Sequence, residues 1–198
     1  PYRISSKPLT KDSFYYERSR EKDSDIVSLP SGVYFNPCRM GVQRLIIQGA
    51  DELLSNYSIK GIHIDDYFYP PDFGNKDSKD YNAYRKNGGK LRLSCWRREN
   101  VMSLVSALYS KVKSYGEDKI FSVSPSGDID KNINQLYADV KLWCAEEGYC
   151  DIILPQLYFG FNNEYLPFEK ALSQWQEIAK TGKSKLVMQT SKLPLSMK

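Results

Sequence analysis

The chain has 198 residues, 41% of them hydrophobic and 26% charged, with 12 Gly and 10 Pro. That composition suits one substantial core and excludes low-complexity tails, collagen-like repeats and disulfide-dense miniproteins. The 28 basic residues are interleaved with 24 acidic ones, so a net charge of +4 builds no face for nucleic acid, and no run approaches the ~20 apolar residues of a membrane span.

Residues 41–57 carry apolar side chains at 42, 45, 46, 50, 53 and 54, the spacing of one helical face. A short apolar run at 59–68 follows, bounded by Pro70 and Pro71. Residues 70–95 read as a long polar loop, long enough to act as a lid. Residues 96–115 predict a helix with Val101, Leu104, Val105, Leu108 and Val112 on one stripe. The spacing then predicts a strand at 120–124, a helix at 136–147, a strand at 151–159, a helix at 168–180 and a last strand at 185–189. We read residues 1–198 as a single domain.

Strands alternating with helices predict an α/β fold with a parallel sheet, whose strands are buried on both faces and read as near-continuous apolar runs. Ile-Ile-Leu-Pro-Gln-Leu-Tyr-Phe at 152–159 fits that pattern. No Gly-rich phosphate turn follows a strand, which removes the common nucleotide-binding sheet. Polar and aromatic residues gather after the strand C-termini, where a (β/α)8 TIM barrel keeps its active site, so the barrel is the favoured architecture. Cys38, Cys95, Cys144 and Cys150 have no metal-binding spacing and read as free, half-buried thiols. With one histidine, His63, a His-rich metal site is excluded, and neither metal nor cofactor is expected.

The sharpest local signal is Gly61-Ile62-His63-Ile64-Asp65-Asp66-Tyr67-Phe68-Tyr69-Pro70. Two carboxylates at the end of a buried strand are expensive to place for stability alone. Neighbours on a strand point to opposite faces. With Ile62 and Ile64 toward the helices, Gly61, His63, Asp65 and Tyr67 face the interior. Asp65 is then the first candidate carboxylate, with His63 beneath it as an orienting group. Asp66 is the alternative where the strand end twists or bulges.

Five segments occur in the order and spacing of one family: Tyr34-Phe35-Asn36-Pro37, the Asp65-Asp66 segment just given, Trp96-Arg97-Arg98-Glu99-Asn100-Val101, Ser124-Pro125-Ser126-Gly127 and Pro155-Gln156-Leu157-Tyr158. On these motifs the chain resembles the glycosyl-hydrolase-like 10 family of bacterial TIM-barrel proteins of the cell envelope, over essentially its whole length. Its opening Pro1-Tyr2-Arg3 resembles the end of the family's third strand. The resemblance implies that this chain holds strands four to seven with their helices, so that the remainder of the barrel or a second copy is needed to complete it. It also implies hydrolysis of a polysaccharide, with bacterial cell-wall glycan as the substrate class, and an extracellular or cell-envelope location.

Glycoside hydrolysis usually takes two carboxyl groups across the scissile bond, about 5–5.5 Å apart for retention and 6.5–9.5 Å for inversion. Asp65 and Asp66 are the catalytic candidates. For a second carboxylate the sequence offers Asp128, Asp130 and Glu164 after strand ends, with loop capping the simpler role for the first two. Tyr67, Tyr69 and Trp96 are candidate stacking surfaces for pyranose rings. Arg97 and Arg98 stand near a predicted helix start, where cations are disfavoured, which suggests a carboxylate partner such as Asp65 or Asp66 or an acidic sugar. Gln156 and Tyr158 end a buried strand and offer hydrogen bonds to sugar hydroxyls. Asn36 in its Asn-Pro turn and Glu164 complete the substrate-binding candidates. The competing readings are a carbohydrate-binding barrel without catalysis and a metal-dependent hydrolase, the second weakened by the single histidine.

Overall fold

The computed structural model describes residues 2–190 apart from Lys22, Tyr67 and Thr181. Pro1 of the opening motif therefore lies outside the described residues. The elements in chain order are β1 (Arg3–Ser5), α1 (Tyr16–Ser19), β2 (Ile26–Leu29), β3 (Gly32–Phe35), α2 (Met40–Asn56), β4 (Gly61–Ile64), α3 (Ser78–Lys86), α4 (Leu93–Lys113), β5 (Ile120–Val123), α5 (Ile129–Asn134), α6 (Val140–Ala145), β6 (Ile152–Ile153), α7 (Phe168–Ala179) and β7 (Lys185–Leu186).

The second half of the chain is the expected α/β alternation. Strands β4, β5, β6 and β7 form one parallel sheet in that order, with His63 opposite Ser122, Val123 opposite Ile153 and Ile153 opposite Leu186. Isolated parallel bridges at Ser126–Gln156 and Gln156–Gln189 carry the strand directions on to the rim. Gly61 opens β4 because a Cβ there would collide with the backbone of Ile120 on β5. β4 and β7 do not pair with each other among the described residues, so the sheet is open.

Helices α2 and α4 pack side by side, and α4 covers β5. The stripe read from the sequence is the buried one: Val101, Leu104, Val105, Leu108 and Val112 are at most 1% exposed. Burying each such side chain contributes about 1.5–3 kcal/mol. Phe121, Val123, Ile153, Trp143 and Trp175 extend the same core beneath α6 and α7. None of the described helices is long and apolar enough to cross a membrane.

Three features differ from the sequence expectation. Ahead of β4 the chain builds an antiparallel sheet, β1-β3-β2, in which Ile26 pairs with Phe35 and Leu29 with Gly32 across a tight hairpin. The stretch at 70–95 is not all loop. It contains α3, and α4 starts at Leu93, three residues before Trp96. Of the helix expected at 136–147 only α6 forms, and a separate short helix, α5, precedes it, with Tyr137 between them at φ 53°. A non-glycine residue in the left-handed region cannot continue a helix.

Candidate active site

The C-terminal ends of all four parallel strands meet in one polar rim. Asp65 follows β4, and its Oδ1 accepts a hydrogen bond from the Gln156 side-chain amide beyond β6. The same Gln156 Nε2 reaches the carbonyl of Ser124 after β5 at 3.3 Å. Ser124 Oγ, with one proton to give, lies 2.9 Å from Leu154 O and 2.6 Å from Gln189 Oε1 beyond β7, the shorter contact being its bond to Gln189. A chain of side-chain amides and a hydroxyl thus joins Asp65 to the far strand. Only isolated bridges continue the β-ladder this far, and the rim's polar side chains bond to one another and to its carbonyls.

Beside this rim lies a cleft of about 280 Å³, lined by Asp66, Ser126, Asp128, Gln156, Tyr158 and Tyr165 among others. The two neighbouring carboxylates are held differently. Asp65 is exposed and also takes the backbone N–H of Asp66 on Oδ1 at 3.0 Å. Asp66 is half-buried, and its carboxyl is pushed above the usual carboxylate range, first by burial and then by the charge of Asp65. Burial also raises the Tyr158 phenol, with Asp65 and Asp66 adding to it. Gly127 lets two rim segments touch, since a Cβ there would meet the Gln156 carbonyl and the Phe159 ring.

The other sequence candidates divide into those brought to this rim and those placed elsewhere. Gln156 and Tyr158 are at the rim. Tyr67 lies outside the described residues. His63 faces the same side as Asp65 but bonds Ser122 Oγ on the adjacent strand, at 2.8 Å from Nδ1, instead of orienting Asp65. Asn36 is 2% exposed, and its Oδ1 accepts from the backbone N–H and Sγ of Cys38, at 3.3 and 3.1 Å, as turn chemistry. Glu164 is exposed on the loop before α7.

Tyr69, Trp96 and Arg97 sit inside the packing. Tyr69 has no exposed surface and accepts a hydrogen bond from Asn100 at 3.2 Å. Trp96 packs beneath α3, with ring centroids 5.3 Å from Tyr81 and 5.9 Å from Tyr84. Arg97 is paired with Asp77, not with Asp65 or Asp66: Nε donates to Oδ2 at 2.8 Å and Nη2 to Oδ1 at 2.7 Å. Arg98 points to Cys95 Sγ at 3.7 Å. With α4 starting at Leu93, both arginines stand in its second turn, so the electrostatic exception at a helix start disappears. All four cysteines are free, Cys144 and Cys150 fully buried.

Sequence reasoning missed Ser124 and Gln189 as rim members and Tyr165 altogether. Gln189 could have been found, because it ends the last apolar run as Gln156 ends the one before. Asp128 was read correctly as a cap: its Oδ1 accepts the Lys131 N–H at 3.0 Å at the start of α5. Its Oδ2 takes the Tyr165 hydroxyl at 2.6 Å, so both oxygens are engaged.

Comparison with known proteins agrees with this picture. The chain is 29% identical to glycosyl hydrolase YngK of Bacillus subtilis (strain 168), an alignment covering 82% of this chain and 36% of that protein. It is 28% identical to glycosyl hydrolase DigH of Escherichia coli (strain K12), covering 94% of this chain and 47% of the relative. The chain therefore spans less than half the length of these relatives. The family model described as Glycosyl hydrolase-like 10 matches residues 11–195. The strand-end aspartates thus stand in a chain that belongs to the glycosyl hydrolase-like 10 family.

Proposed function

We propose that this chain carries the cleaving site of a polysaccharide-directed glycoside hydrolase, with bacterial cell-wall glycan as its substrate and action at the cell envelope or outside the cell. In this reading β4 to β7 are strands of a (β/α)8 barrel completed by further β/α units. One observation carries the reading: two adjacent carboxyl groups in unlike environments at the C-terminal strand ends, beside a cleft with aromatic walls. Pairs of titratable groups pushed apart by their surroundings are how acid and anion roles are divided at neutral pH.

Asp66, whose carboxyl is shifted toward the protonated form by burial and by Asp65, donates a proton to the departing glycosidic oxygen. Asp65 supplies negative charge beside the anomeric carbon as the oxocarbenium-like transition state develops, and a water molecule then adds to that carbon while its proton returns to the Asp66 carboxylate. The Gln156 N–H aimed at Asp65 stabilises that charge and fixes its direction. Asp128 does not supply the second carboxyl function, because its oxygens already hold Lys131 N and Tyr165 Oη. That engagement also favours the second reading, a barrel that binds glycan without cleaving it.

The two readings separate on the full-length protein. Wild type, Asp65→Asn and Asp66→Asn are incubated with peptide-free peptidoglycan strands and a panel of β-glucans, and products are read by mass spectrometry. Cleavage by wild type that falls at least about 100-fold in Asp66→Asn is the expected result for a general acid. Binding without cleavage by wild type would replace the hydrolase with a binding module.

A further inference from the structure

The loop between β6 and α7 is rich in rings: Tyr158, Phe159, Phe161 and Tyr165 lie in it, and Phe168 opens α7. Three of them, Tyr158, Phe159 and Tyr165, line the cleft that holds Asp66. Tyr165 is 72% exposed, so its ring adds almost nothing to the hydrophobic core. It is nevertheless tightly held. Its hydroxyl donates to Asp128 Oδ2 at 2.6 Å, and its N–H donates to Asn163 Oδ1 at 3.0 Å, which also receives the N–H of Leu166 at 2.8 Å.

The anchor is itself rigid. Asp128 is 7% exposed and caps α5 with its other oxygen. The adjoining Gly127 carbonyl accepts the indole N–H of Trp175, fully buried on α7, at 2.7 Å. A phenol that served only solubility would bond to water and keep its rotamer freedom. Fixing it to a buried carboxylate sacrifices that freedom and leaves the ring in solvent, an arrangement that stabilises the fold little but prepares a surface for binding.

We propose that Tyr165, flanked by Phe159 and anchored by Asp128, is a stacking subsite for a pyranose unit of the glycan, adjacent to the cleaving carboxylate. This rests on the cleft being the glycan site. The ring takes the apolar C–H face of the sugar, as an aromatic face with a polar tip does well. Lys131, which lines the same cleft, offers its ammonium to a hydroxyl or carboxylate substituent of that sugar. Continuity with the Asp66 cleft identifies the occupant as a unit of the same chain that is cut. Asp128 is a positioning residue, which accounts for a buried strand-end carboxylate without giving it a chemical step.

The test uses full-length wild type, Tyr165→Ala, Tyr165→Phe and Asp128→Asn. Binding to peptide-free peptidoglycan strands and to β-glucan oligosaccharides is measured by calorimetry, and turnover by product release. Tyr165→Ala is expected to weaken binding and raise KM about tenfold, with kcat within about threefold and the melting temperature unchanged. Tyr165→Phe keeps the ring and is expected to recover most of the loss, and Asp128→Asn is expected to fall between the two. If wild type cleaves a glycan and Tyr165→Ala matches it in KM, the subsite is wrong and the hydrolase stands. If wild type binds without cleaving and Tyr165→Ala loses that binding, the subsite stands and the hydrolase falls. If wild type neither binds nor cleaves any of these glycans, both are overturned. A loss in Tyr165→Ala that Tyr165→Phe does not relieve would assign Tyr165 to loop structure and overturn the stacking role.

Discussion

In the proposed mechanism Asp66 trades stability for chemistry. Its pKa is raised by burial and by Asp65. A carboxyl whose folded pKa lies above its unfolded value binds protons more tightly when folded. Its contribution is fully present below the unfolded value, about 3.9, and is lost as pH rises through the raised folded value. Above the unfolded value, then, holding this carboxyl in its half-buried place weighs against the fold. Asp66→Asn removes that cost at constant size, so the melting temperature should rise by a few degrees at pH 7, with the gain fading as pH falls toward about 4. Calorimetry of wild type and variant across that range checks it, and a lower melting temperature at pH 7 would make Asp66 a structural residue. The sequence made the pair visible, since acidic residues ending an apolar strand are conspicuous. It did not reveal which partner is the acid. Strand parity favoured Asp65, but the chain leaves β4 at Ile64, and beyond that point burial, which spacing does not encode, separates the two.

At the scale of elements, α3 is held by one buried charged clasp, with the Arg39–Asp80 and Lys79–Asp23 pairs nearer its surface. Asp77 immediately precedes it with no exposed surface, and Arg97 of α4 is 4% exposed. The guanidinium also donates to Tyr137 Oη at 3.0 Å and to Gly74 O at 2.5 Å, and it lies 5.1–5.7 Å from the ring centroids of Tyr69, Phe73 and Tyr137. Removing one partner of a buried pair leaves the other charge uncompensated, at about 3–5 kcal/mol. Arg97→Met should cost that much in urea unfolding and release amide protection across α3 before α4. A cost below about 1 kcal/mol would mean that the Tyr81 and Tyr84 rings on Trp96 suffice to hold α3. Helices α2, α4 and α7 were legible because each presents an apolar stripe to the sheet. Helix α3, Ser-Lys-Asp-Tyr-Asn-Ala-Tyr-Arg-Lys, has none. Its two tyrosines dock on Trp96, Lys79 and Asp80 pair with Asp23 and Arg39, and Asp77 and Arg97 are 20 residues apart, so neither the helix nor its clasp leaves a periodic trace. The break at Tyr137 is equally silent, because a left-handed tyrosine is imposed by its neighbours and not by its own preference.

Across the whole molecule, the parallel sheet separates chemistry from stability. Each of β4 to β7 leads, at or just beyond its C-terminal end, into the rim of Asp65, Ser124, Gln156 and Gln189, the end at which open and closed α/β sheets alike bind ligands. The opposite end is tied by charge and carries no cleft residue. Lys113 pairs with Asp151 at 2.7 Å and donates to the Lys119 carbonyl at 2.7 Å, while Asp151 Oδ2 accepts the Phe121 N–H at 2.8 Å. These bonds fix where β5 and β6 begin, so their loss should act on folding alone. Lys113→Met is expected to cost about 1–2 kcal/mol and lower the melting temperature by about 2–8 °C, with kcat/KM on a cleaved glycan unchanged within about twofold. Gln156→Leu should do the reverse, lowering kcat by removing the Asp65 donor while shifting the melting temperature far less. Measuring both parameters for both variants decides the matter. If Lys113→Met lowers kcat as much as Gln156→Leu does, the sheet transmits strain along its strands, and its two ends are not independent.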